Sequence, residues 1–128
     1  MDAPPILNTD LVKEFVGQAH GNLDKVHEML KQEPKLLNAA NDWGGGDWET
    51  ALGAAAHMGR KDIAQFLLAK GARMDIFAAA MLGRLDIVKG IIAAQPEAAR
   101  APGPHGIPLM AHAKAGESAE IVTYLQSL

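Results

Sequence analysis

Four segments of this chain begin with a glycine and continue with apolar residues at helical spacing: GNLDKVHEMLK from Gly21, GRKDIAQFLLA from Gly59, GRLDIVKGIIA from Gly83 and GESAEIVTYLQ from Gly116. Each follows another short apolar stretch, in order LVKEFVGQAH, TALGAAAHM, DIFAAAML and PLMAHAKA. The pattern reads as a helix, a turn and an antiparallel second helix, repeated four times. A helix that reverses within two or three residues usually needs a residue at positive φ, so the four glycines are read as the turning residues. Asn22 and Ser118 read as caps of the second helices that follow them.

The remaining composition narrows the class. Abundant alanine with few aromatic and β-branched runs favours helices packed at close range, so the expected fold class is all-α. With 128 residues, 48% of them apolar, the chain is one domain's worth and can bury a core. There is no cysteine, which excludes a disulfide framework, a thiolate metal cluster and a cysteine nucleophile. Net charge is -3 and the basic residues are scattered, so nucleic acid is not an expected partner. No window approaches the roughly 18 apolar residues of a membrane span, and MDAPPILNTD lacks a basic leader. No membrane association and a cytoplasmic location are expected.

The glycines lie 38, 24 and 33 residues apart. On these residues the chain resembles the ankyrin repeat family: TALGAAAHMGRKDIAQFLLAKGARMD, Thr50 to Asp75, is similar to a repeat in which T-P-L-H-x-A-A opens the first helix and G-A ends the second. GIPLMAHAKAG, from Gly106, looks like another copy with its Pro-Leu intact. The likeness covers roughly residues 10 to 128. It implies an ankyrin-like solenoid of four helix-turn-helix repeats over 10–128, preceded by an N-terminal extension over 1–9. Where the pattern has His in its tetrapeptide, this chain has Gly53, Phe77 and Met110, so apolar packing must do more of the fastening. Pro34 and Pro96 each stand thirteen residues after their glycines and read as equivalent exits into long connections, which suggests two tandem pairs of repeats.

The connection between repeats two and three is too short for a projecting hairpin. Two long connections remain, one carrying DWGGGDW (Asp42 to Trp48) and the other APGPHG (Ala101 to Gly106). The first is no phosphate loop, because no Lys-Ser or Lys-Thr follows its glycines. Its two indoles are read either as covers over helix ends or as interface anchors. The resemblance implies binding of a partner macromolecule, most simply a protein, through the concave groove and the two loop tips. The residues chosen for that contact are Trp43, Asp47, Trp48, His57, Met58 and His105.

Histidine supplies the competing reading. His57 and His20 fall near the ends of the first helices of repeats two and one and could be neighbours. A metal-dependent enzyme or small-molecule binder would gather His57, His105, His112 and Asp47, since imidazole with carboxylate suits zinc or a general base. No H-E-x-x-H, no G-x-S-x-G and no i, i+4 histidine pair occurs, so no catalytic residue, metal ligand or cofactor is expected. His112 stands where alanine is usual and needs a hydrogen-bond partner or room made for its ring.

Overall fold

The computed structural model describes residues 3–128. Asn8 starts the first helix by accepting the Leu11 N–H on its side chain at 3.0 Å, and α1 runs Thr9–Gln18. Asn22 does the same for Lys25 at 3.0 Å and opens α2, Leu23–Gln32. After a short 3-10 turn at Pro34–Leu36 come β1 (Ala40–Asp42) and β2 (Trp48–Thr50). The helices α3 (Ala51–His57), α4 (Lys61–Ala69), α5 (Ile76–Met81) and α6 (Leu85–Ala94) follow. A second 3-10 turn at Pro96–Ala99 and a third at Pro104–Gly106 lead into α7 (Leu109–Ala115) and α8 (Ala119–Gln126). Pro34 and Pro96 thus hold the same place, each opening a 3-10 turn after a second helix.

The eight helices form four antiparallel pairs, with the first helices α1, α3, α5 and α7 stacked in chain order. Alanine makes that stack close: Ala54, Ala55, Ala56, Ala78, Ala79 and Ala80 are wholly buried. The core has two parts. One centres on Phe15, Val26, Leu52, Ile63 and Leu67, the other on Val88, Leu109 and Ile121. The division falls near residue 76, where the two tandem pairs were expected to meet, and Ala78 and Met81 of α5 cross it into the first part.

Three expectations are corrected. The chain is not purely helical: β1 and β2 pair antiparallel, Ala40 opposite Thr50 and Asp42 opposite Trp48. The glycines also divide into two kinds. Gly59 and Gly83 turn the chain at φ 66 and 75, whereas Gly21 is not at positive φ and Gly116 lies at φ −86. In the last repeat the positive φ is taken by Glu117 at 54, one residue later, which accounts for the extra residue of that turn. Gly116 is required for closeness: a Cβ there would stand 1.9 Å from the Met81 carbonyl oxygen. Finally, the Ser118 hydroxyl caps nothing in its own helix and donates to that same carbonyl at 3.0 Å.

The stack also bends back on itself. α3 touches α7 as well as α5, and a Cβ at Gly59 would lie 2.5 Å from the Ala115 carbonyl oxygen. The second helix pair therefore meets the fourth as well as the third, a contact that units touching only their nearest neighbours would not make. The two long connections are brought within reach of each other.

Candidate functional site

In the first of those connections, Asp42 receives the N–H groups of Gly44 and Gly46 on one carboxylate oxygen at 2.8 and 3.0 Å. Trp43 and Asp47 close the tip through their backbones. The three glycines lie at φ 136, 64 and 87 with open space around each, so conformation and not crowding disfavours most side chains there. The turn leaves β2 with strand alternation: Trp48 faces out, 60% exposed, and Glu49 faces in, 1% exposed. Thr50 then caps α3 by accepting the Gly53 N–H at 3.0 Å.

Four groups converge on the buried Glu49 carboxylate. Oε1 accepts the Trp43 indole N–H at 3.0 Å and lies 3.3 Å from His20 Nε2. Oε2 lies 3.0 Å from His57 Nε2 and 3.3 Å from His105 Nε2. The three imidazoles enclose one another, His57 being 5.0 Å from His20 and 5.4 Å from His105 between ring centres. They come from three places: just past the end of α1, the last residue of α3, and the 3-10 turn at Pro104–Gly106.

His105 is placed by Asp47 across 58 residues of chain. The Asp47 carboxylate accepts both the His105 backbone N–H and its Nδ1–H, each at 2.7 Å. This pair of hydrogen bonds holds His105 at φ 59, a conformation that is rare outside glycine. The backbone hydrogen bond from His105, with its imidazole, holds the Asp47 carboxyl below its ordinary range. Burial works against charge on His105, but the Asp47 hydrogen bond and the Glu49 charge outweigh it and raise its pKa. Burial likewise opposes the Glu49 charge, and the His57 contact with the charges of His20, His57 and His105 lowers its pKa nonetheless. The centre is a buried anion ringed by basic nitrogens.

Of the six residues expected to touch a partner, Asp47, His57 and His105 are drawn together around Glu49, with Asp47 and His105 partly exposed, and Trp43 borders them at 36% exposure. Trp48 and Met58, 60% and 50% exposed, face outward. His112 is not part of the cluster: wholly buried, it donates Nδ1–H to the Pro108 carbonyl at 2.9 Å and lies against Phe77 at 4.7 Å. The set of His57, His105, His112 and Asp47 is thereby corrected to His20, His57, His105 and Glu49, with Asp47 behind. Glu49 was not singled out. No local signal marks it, because alternation through Trp48-Glu49-Thr50 would turn the indole inward and the carboxylate outward, the reverse of what is found. A separate cleft lined by His27, Leu30, Phe66 and Lys70 contains none of these groups.

No helix among the described residues is long and apolar enough to cross a membrane. No solved structure matches the chain with significance. Residues 47–77, from the aspartate that seats His105 to the phenylalanine beside His112, match the family model of the ankyrin repeat, and the match spans the segment that carries Glu49 and His57.

Proposed function

We propose that the four helix pairs make a short ankyrin-like solenoid that serves as a non-catalytic interaction module, with a protein as its partner. Ankyrin repeats generally mediate protein–protein interaction and are typically non-catalytic. The observation that carries the reading to this chain is the Trp48 indole, held 60% exposed on a hairpin whose glycines and Asp42 fix its shape. An exposed Trp on a rigid support has the chemistry of an interface anchor, because it can bury a large area with little side-chain ordering. Met58, half exposed where α3 ends, offers an adaptable apolar contact. Asp47, His57 and His105 act from behind by fixing the two loop tips, and Trp43 forms the border between them and the rim.

A photo-crosslinking residue at position 48, with the same residue at the exposed Gln65 as control, tests the reading. A protein captured at 48 but not at 65, and whose binding is lost in Trp48→Ala with unchanged circular dichroism, is the expected result. Equal capture at both positions, or binding indifferent to Trp48→Ala, would overturn it.

A further inference from the structure

The Glu49 cluster is more elaborate than a hairpin support requires. The hydrogen bonds of its histidines fix where their protons sit. His20 Nδ1 faces the carbonyl oxygens of Val16 and Gly17 at 3.0 and 3.1 Å, and a carbonyl can only accept, so this nitrogen carries the hydrogen. His105 Nδ1 carries one for Asp47. In a neutral imidazole so held, Nε2 is a lone pair. Where these two rings are neutral, two lone pairs therefore point at a carboxylate that has only lone pairs of its own.

His57 makes the conflict sharper. Its Nε2 and Glu49 Oε2 are 3.0 Å apart and buried, yet neither has a hydrogen-bond partner among the described residues. Protonating all three rings would place three positive charges around one buried carboxylate. A divalent cation resolves the arrangement, because the three imidazole nitrogens and a carboxylate oxygen all become donors to it.

We propose that His20, Glu49, His57 and His105 form a binding site for a divalent transition metal, zinc by its chemistry, which fastens the two loop tips to the ends of α1 and α3. The donor set is three imidazole nitrogens and one carboxylate oxygen, which suits zinc and its neighbours in the first transition row and not magnesium or calcium. All four donor atoms lie within 4.8 Å of one another. His57 and His105 Nε2 lie 3.0 and 3.3 Å from Glu49 Oε2, close to the edge of about 3.3 Å of a tetrahedron with bonds near 2.0–2.1 Å, and His20 Nε2 stands 3.3 Å from the other oxygen of the same carboxylate. The outer shell is also in place. Asp47 behind His105 and backbone carbonyls behind His20 orient the rings as carboxylate and carbonyl partners do for ligating histidines. Four protein donors close the coordination sphere, so the metal is structural. His20 and His105, 25% and 32% exposed at their side chains, give it a way in from solvent.

The site stands independently of any partner at Trp48. Its test uses the untagged full chain, freed of metal, titrated with zinc by calorimetry and with cobalt(II) by visible spectroscopy. One equivalent should bind, cobalt should give the intense visible bands of four-coordinate geometry, and the thermal midpoint should rise with zinc and fall back with chelator. His57→Ala with His105→Ala should abolish binding, while His27→Ala, outside the site, should leave it unchanged. Asp47→Asn touches no donor atom and should weaken affinity by about 10–100-fold at unaltered stoichiometry. That variant keeps the test decisive if the double variant fails to fold. Absence of stoichiometric binding, a pale six-coordinate cobalt spectrum, or affinity indifferent to Asp47→Asn would each overturn the proposal.

Discussion

Replacing Gly116 by alanine should be among the most damaging single-methyl additions available to this chain, although Gly116 has an ordinary backbone conformation. At φ −86 and ψ 0 the position accepts any residue. The obstacle lies opposite: a Cβ would stand 1.9, 2.7 and 2.9 Å from the O, C and Cα atoms of Met81. Ordinary contact begins near 3.4 Å, so α5 and α7 must part by about 1.5 Å at this point (3.4 less 1.9). Met81 cannot yield by a rotamer change, because the atoms struck are backbone. Overpacking typically costs about 1–3 kcal/mol and more where the backbone must move. The Ser118 bond to the same carbonyl would be lost with it, adding about 0.5–1.5 kcal/mol. Removing a glycine from the unfolded chain returns about 0.4–1 kcal/mol. The net expectation is a loss of about 3 kcal/mol, a large share of the roughly 5–15 kcal/mol of a domain. Gly83→Ala is the control: its φ is 75 but the nearest atom to a Cβ is Ser118 Oγ at 3.6 Å, so it should cost only the left-handed strain, about 1–2 kcal/mol. Urea unfolding followed by circular dichroism measures both. A Gly116→Ala chain no less stable than Gly83→Ala would refute the close-approach reasoning.

Trp48→Ala and Met58→Ala should each leave urea stability within about 0.5 kcal/mol of the parent, since both side chains are largely in solvent; a loss beyond 1 kcal/mol would show them fastening the fold. In the hairpin tip, Gly44→Ala at φ 136 should cost about 1–3 kcal/mol, while Gly45→Asn at φ 64 should be nearly neutral by the same assay. Burial, above all, lowers the pKa of His112 from its ordinary 6.5, with the charge of His57 acting in the same direction. The unfolded chain then takes up the proton first as pH falls, so this residue's contribution is fully present above pH 6.5 and is lost on acidification below it, with a slope of at most about 1.4 kcal/mol per pH unit. Stability measured from pH 8 to 5 should decline less steeply for His112→Ala than for the parent, and parallel curves would disprove the assignment.

Much of the helical frame was legible because its signals are local. Apolar spacing after Gly59 and Gly83 marks second helices, and Pro34 and Pro96 mark their exits. The hairpin escaped because Ala-Asn-Asp and Trp-Glu-Thr are three residues each, mostly polar, and show no apolar alternation. Gly21 and Gly116 looked like Gly59 because composition cannot distinguish a residue needed for positive φ from one needed for closeness. Of the site, the proximity of His20 to His57 followed from repeat register, since both end a first helix. Glu49 did not, because a carboxylate between Trp and Thr carries no mark of burial. Asp47 and His105 were grouped on their chemistry alone, while the hydrogen bonds between them depend on α3 meeting α7 and on no feature of either segment alone.

That inward bend has a consequence for how the array can change. Where each unit touches only the next, units can be inserted or deleted and the ends can fray one at a time. Here the second and fourth pairs are in direct contact, so a fifth pair inserted between the second and third would force Gly59 away from Ala115 and Asp47 away from His105. The chain has the repeating grammar of an open-ended polymer, yet between its second and fourth pairs the number of units is fixed.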